Sequence, residues 1–204
     1  MGVTTPATCA QFDPPPPQSS PIKGEESFLV GFNPVDVQTP RLAGEVPSVL
    51  DLMAYKIPVS VLVVVYTPDL EVLLLERADR PGFWQSVTGS QDEGETLHET
   101  AVRELREETG IDAARCALTD WHRQNRYEIY PRWRSRYAPG VTHNIEHVFG
   151  LRVPQRVEIA LQPREHLRHE WLPWRAAAEK VFSWSNAEAI REVPERARQP
   201  EERP

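Results

Sequence analysis

Three glutamates within five residues, Glu104, Glu107 and Glu108, are the part of this sequence best suited to chemistry. Carboxylates supply acid–base groups and hard oxygen ligands for divalent cations. They lie in Glu95 to Thr109, a run of helix formers followed by Gly110, which predicts a helix stopped at its C-terminal end. With Glu104 at the origin, Glu107 falls at about 300° and Glu108 at about 40°, so the three share an arc of about 100°. Ala101, Leu105 and Val102 fall at about 60°, 100° and 160°, which predicts a buried stripe beside the acids. Glu99, Arg103 and Arg106 occupy about 200–260°, with Glu99–Arg103 and Arg103–Glu107 spaced for i,i+4 ion pairs.

Two readings of this helix stand side by side. A charge run is most often a solvated, salt-bridged face, and that accounts for the arginine side. It accounts poorly for Glu104 and Glu108, because like charges at i,i+4 destabilise a helix by a few tenths of a kcal/mol. Divalent cations among the acids would remove that cost. The helix alone does not choose between the two.

Several elements must position these residues. Pro58 to Tyr66 is a β-branched run without turn residues, which predicts a strand buried on both faces. Thr67-Pro68-Asp69 is turn chemistry, and Glu71 to Arg77 reads as the second arm of a hairpin. Phe83 to Thr88 predicts a short third strand ending at Gly89, just before the acidic helix. Further strands are expected at 118–130, 144–153 and 170–174, and short helices at 175–182 and 185–193. This mixture predicts an α/β (α+β) layered domain over residues 52–193. Nine of the twenty prolines fall in residues 1–50, four of them consecutive at Pro14 to Pro17. Residues 1–51 are therefore expected to be a mostly disordered extension, with Ser27 to Phe32 as the one stretch apolar enough to dock. Residues 194–204 read as a frayed tail.

Composition removes several classes of function. With 23 basic and 30 acidic residues the net charge is −7, which argues against a nucleic-acid or anionic-membrane binder. Cys9 and Cys116 are too few and too far apart for a disulfide scaffold or a zinc site. There is no run of 18 apolar residues and no secretory leader pattern, so a cytoplasmic protein is expected. The six histidines show no metal-ligand spacing, and no partner protein is inferable.

Residues 89–111 resemble the Nudix box, Gly-x5-Glu-x7-Arg-Glu-aliphatic-x-Glu-Glu-x-Gly-aliphatic, with every defined position present from Gly89 to Ile111. The resemblance implies the Nudix fold, a mixed β-sheet sandwiched between α-helices, and hydrolysis of a diphosphate linkage using Mg²⁺, or Mn²⁺ in its place. It further implies that Glu104, Glu107 and Glu108 bind metal, that the Gly89 carbonyl joins them, and that Arg103 and Glu95 brace the site.

The segments Tyr55-Lys56-x-Pro58-Val59-Ser60, Phe83 to Gly89, Arg136 to Thr142, Glu165-His166-Leu167 and Ser183 to Asn186 narrow the resemblance. Over roughly residues 54–192 they are similar to one branch of the family, the bacterial dihydroneopterin triphosphate diphosphatases. That similarity implies release of pyrophosphate from a pterin triphosphate. It carries substrate contacts onto Lys56, Arg77, Thr88, Tyr127, Glu128, Ile129, Tyr130 and Ser183, and a further metal-ligand or base role onto Glu165. Read bare, Lys56 and Arg77 are ordinary strand-end cations, Tyr127 and Tyr130 fit core packing as well as stacking, and Trp84 reads as core. A general (d)NTP pyrophosphatase and a non-catalytic nucleotide-binding module remain the alternatives.

Overall fold

The computed structural model describes residues 55–113 and 116–199. The expectations for residues 1–51 and for the last residues of the chain lie outside them. Seven strands form one mixed sheet: β1 (Val59–Tyr66), β2 (Glu71–Arg77), β3 (Trp84–Gln85), β4 (Val87–Ser90), β5 (Ala117–Glu128), β6 (His143–Arg152) and β7 (His166–Pro173). Helix α1 (Leu97–Thr109) follows β4, while α2 (Trp174–Lys180) and α3 (Trp184–Arg196) follow β7. The order β3-β2-β1-β6-β5 places β1 at the centre, antiparallel to β2 and parallel to β6.

The apolar run of β1 is buried on both faces, as its composition predicts. Val61, Val63 and Val65 join Leu73, Leu75, Ala101 and Leu105 on the α1 side. Leu62, Val64 and Tyr66 join Val72, Leu74, Ala189 and Ile190 on the α2–α3 side. Each valine, leucine or isoleucine side chain buried there contributes roughly 1.5–3 kcal/mol. The sandwich of helices about a mixed sheet is thus built from the period-2 alternation of strands without polar faces.

The β1–β2 hairpin pairs at Tyr66 and Val72, and the two strands then take other partners. β1 turns to β4, with Val61 opposite Gly89, and β2 turns to β7. The expected single strand Phe83 to Thr88 breaks for the same reason. The chain leaves β2 after Gln85 and joins β1 from Val87. Ser86 at the crossing is fully buried and donates to Asn186 Oδ1 at 3.0 Å.

β7 begins at His166, four residues before the expected start, because a bulge hides its alternation. Glu76 pairs with Arg168 and Arg77 with His166, so Leu167 is an extra, unpaired residue that is exposed. The final helix also outruns its expected end at 193 and passes through Pro194 to Arg196. Ile190 and Val193 anchor it in the core, and Arg196 donates to the Trp121 carbonyl at 3.0 Å. Residues 194–196 are therefore helix, not frayed tail. Among the described residues no helix is long and apolar enough to cross a membrane.

Candidate active site

Thr96 caps α1 through a reciprocal box: Glu99 N–H donates to its hydroxyl at 3.2 Å, and its own N–H donates to Glu99 Oε2 at 2.7 Å. Gly110 ends the helix in the left-handed region at φ 73°, where a Cβ would be strained and would press on Ala160. The cap engages Glu99, and the expected Glu99–Arg103 pair does not form among the described ion pairs. Arg103 instead grips Glu95 with two bonds, Nε to Oε1 at 2.6 Å and Nη2 to Oε2 at 2.9 Å. It also donates to the Ser90 carbonyl at 3.0 Å and to Glu104 at 2.6 Å, and contacts Glu107 at 3.4 Å. One guanidinium thus ties the end of β4, the loop before α1 and two of the three acids together.

The acidic arc is not a solvated face. Glu104 and Glu108 are buried, and Glu107 is half-buried. Glu104 lies so close over Gly89 that a Cβ on that residue would overlap its carboxylate, which explains glycine at this strand position. Glu108 is held by the Thr88 N–H at 3.3 Å, and desolvation raises its carboxyl above the usual carboxylate range. Its other oxygen, Oε1, stands 3.4 Å from His166 Nε2. Potential ligand atoms of Glu108, Glu165 and His166 all lie within 4.8 Å of one another. The structure therefore brings Glu165 to Glu108 from a segment almost sixty residues away. It also brings His166, which spacing along the chain does not flag. A buried carboxylate beside a second carboxylate and an unsatisfied imidazole fits a divalent cation better than it fits a salt-bridged surface.

The remaining candidates fall into two groups. Lys56 Nζ donates to Ser90 Oγ at 3.3 Å, and burial followed by repulsion from Arg136 lowers its pKa. Thr88 and Gly89 line β4 beside α1. Tyr130 is half-buried, edge-on to Trp133 and within 5.5 Å of the Arg132 guanidinium. Others are engaged in the fold. Arg77 is buried and bidentate on Asp79 at 2.8 Å, with a third bond to Gln85 at 3.0 Å. Gln85 donates onward to Thr88 Oγ1 at 3.1 Å, so Arg77 steadies the strand that carries Thr88. Tyr127 is buried with its hydroxyl bonded by Asn144 at 2.9 Å, and burial raises its pKa. Ile129 is buried, Glu128 is exposed and paired with Arg134, and Ser183 is the N-cap of α3. Trp84 packs on the α2–α3 side with Lys180 Nζ 3.9 Å from its ring centroid.

The Glu95–Arg103 grip should be visible in acid. The hydrogen bond from Arg103 lowers the Glu95 carboxyl from 4.5 to about 2. A carboxyl depressed on folding stabilises the fold above its unfolded pKa, and that stability is lost as pH falls from 4.5 toward 2. Glu95→Gln should flatten this acid limb, so melting temperatures of variant and parent should converge between pH 5 and pH 2. Parallel curves would show that the grip contributes nothing in solution.

Comparison with known proteins agrees with this geometry. Residues 56–193 match the NUDIX domain family. Dihydroneopterin triphosphate diphosphatase of Escherichia coli K12 is 50% identical over 139 residues, covering 67% of this chain and 91% of that protein. The Haemophilus influenzae protein of the same name is 44% identical over 143 residues, covering 69% and 89%. The solved structure of the E. coli dihydroneopterin triphosphate pyrophosphohydrolase superposes with a TM-score of 0.62 at 48% identity, covering 68% of this chain and 96% of that one. On sequence, fold and the residues gathered at α1, the chain belongs to the NUDIX domain family.

Proposed function

We propose that the protein hydrolyses dihydroneopterin triphosphate to the monophosphate and pyrophosphate, with Mg²⁺ as the cation. The observation that carries the chemistry is the buried Glu108 carboxylate, set against Glu165 and His166 at the edge of the box helix. The pterin assignment is supported by 50% identity to the E. coli enzyme across nearly all of that protein.

In this reading Glu108 and Glu165 hold the cation, with Glu104, Glu107 and the Gly89 carbonyl on the same side of α1. When bound, a divalent cation offsets phosphate charge and lowers the pKa of the attacking water. Glu165, half-buried at the end of the loop before β7, takes the proton of that water in this reading. Lys56 binds phosphate oxygens, since a partly desolvated ammonium gains most from an anionic partner. Thr88 positions the chain of phosphates beside β4. Tyr130 offers a ring edge to the pterin.

The products test the reading. With Mg²⁺ and dihydroneopterin triphosphate, the purified protein should release pyrophosphate, and in a panel with dNTPs, NADH, ADP-ribose and diadenosine polyphosphates the pterin should have the highest kcat/KM. Stoichiometric orthophosphate in place of pyrophosphate would refute the reaction, and a dNTP turned over more efficiently would refute the substrate.

A further inference from the structure

We infer that His166 is a ligand of the divalent cation, completing with Glu108 and Glu165 a mixed oxygen and nitrogen donor set. The inference rests on the metal-dependent reading above and goes beyond the carboxylates that reading uses.

His166 is 2% exposed at its side chain, and neither ring nitrogen makes a hydrogen bond. Buried polar side chains are nearly always hydrogen-bonded, so a histidine with both nitrogens unsatisfied needs an explanation. Its Nε2 stands 3.4 Å from Glu108 Oε1, a contact that does not meet hydrogen-bond geometry. Two ligand atoms at a right angle, each roughly 2.1 Å from one cation, stand about 3 Å apart, so the spacing suits neighbouring ligands. Glu165 offers a third ligand atom within 4.8 Å of the other two.

The backbone holds this arrangement from several sides. The His166 N–H donates to the Gln162 carbonyl at 3.0 Å, and the Glu165 carbonyl accepts from the Ala78 N–H at 2.8 Å. The Leu167 bulge sets His166 opposite Arg77, in step with Leu73 and Leu75 on the α1 side of the sheet. In a regular strand Leu167 would stand opposite Arg77, and position 166 would fall on the other face, away from Glu108. A bulge that turns one unsatisfied imidazole toward two carboxylates is a common way to aim a site residue.

An imidazole in the donor set changes which cations the site prefers. Oxygen donors alone suit Mg²⁺ and Mn²⁺, whereas a nitrogen shifts the preference toward later divalent metals such as Co²⁺. Pulsed electron paramagnetic resonance on Mn²⁺ bound to the full-length protein should therefore show coupling to an imidazole nitrogen. His166→Gln should abolish that coupling, weaken Co²⁺ binding at least about tenfold by calorimetry, and change Mg²⁺ binding less. The wild-type spectrum decides the matter even if the variant folds poorly. Mn²⁺ that binds without nitrogen coupling, or with coupling that survives in His166→Gln, overturns the role of His166 and leaves the hydrolase reading standing. A chain that binds no divalent cation overturns both.

Discussion

Glu108→Gln should lower kcat at least about 100-fold while making the metal-free protein more stable. Glu108 is fully buried on α1, accepts the Thr88 N–H and faces Glu165 and His166. Gln keeps the shape and can still accept from Thr88, but it removes the charge that a cation needs. Without a cation that charge is a burden, since desolvation raises the Glu108 pKa on folding. An acid whose pKa rises on folding destabilises the fold once pH exceeds the unfolded value, and the penalty disappears as pH falls below it. In EDTA at pH 7 the variant should therefore melt higher, by about 1 kcal/mol or roughly 2–4 °C in a domain of this size. At pH 4 the gap should close. Turnover within a few-fold of the parent would remove Glu108 from the metal site. A variant less stable than the parent in EDTA would show that the charge is paired within the apo fold.

The second large effect is expected at Arg103. Arg103→Ala removes the two bonds to Glu95 and the bond to the Ser90 carbonyl, and leaves Glu104 without the guanidinium that holds it. The side chain is 22% exposed, so the cost is below that of a fully buried ion pair, at about 2–3 kcal/mol. Activity should fall at least about tenfold with it, because Glu104 and Glu107 lose their common brace. Arg103→Lys is the informative companion. It keeps the charge but not the planar fork, and should recover less than half of the lost stability. Full recovery by lysine, read from denaturant melts, would mean that charge alone matters here.

Much of this architecture is legible along the chain because its causes are local. The uninterrupted β-branched run of β1 requires burial on both faces, and Gly110 marks the end of α1. Thr96 and Glu99 carry a capping-box pattern, a signal that assigns Glu99 to the helix start and frees Arg103 for Glu95. The Glu104–Glu108 repulsion pointed to cations, and the burial of both acids agrees with that direction. What spacing could not reveal depends on contacts between distant segments. The exclusion of Glu104 from solvent requires β4 to lie under α1 at Gly89. Arg77 looks like a free cation until Asp79 and Gln85 fold onto it. His166 was hidden twice, by its distance from the box and by a bulge that erases the alternation of its own strand.

That bulge makes the assembly of the site a matter of parity. The thirteen residues between β6 and β7 carry no strand register, so length changes there alter slack and leave the facing of Glu165 and His166 unchanged. Leu167 is different, because it is the odd residue in an otherwise even count. Excising it would bring Arg168 into step directly after His166 and leave the imidazole opposite Arg77 on the α1 side, whereas pairing Leu167 with Arg77 in its place would send the imidazole to the opposite face. Loss of the bulge by deletion would thus spare the facing of the site, and loss by a shift in pairing would not. Chain length should therefore vary freely before this strand, while the pairing of His166 with Arg77 must hold.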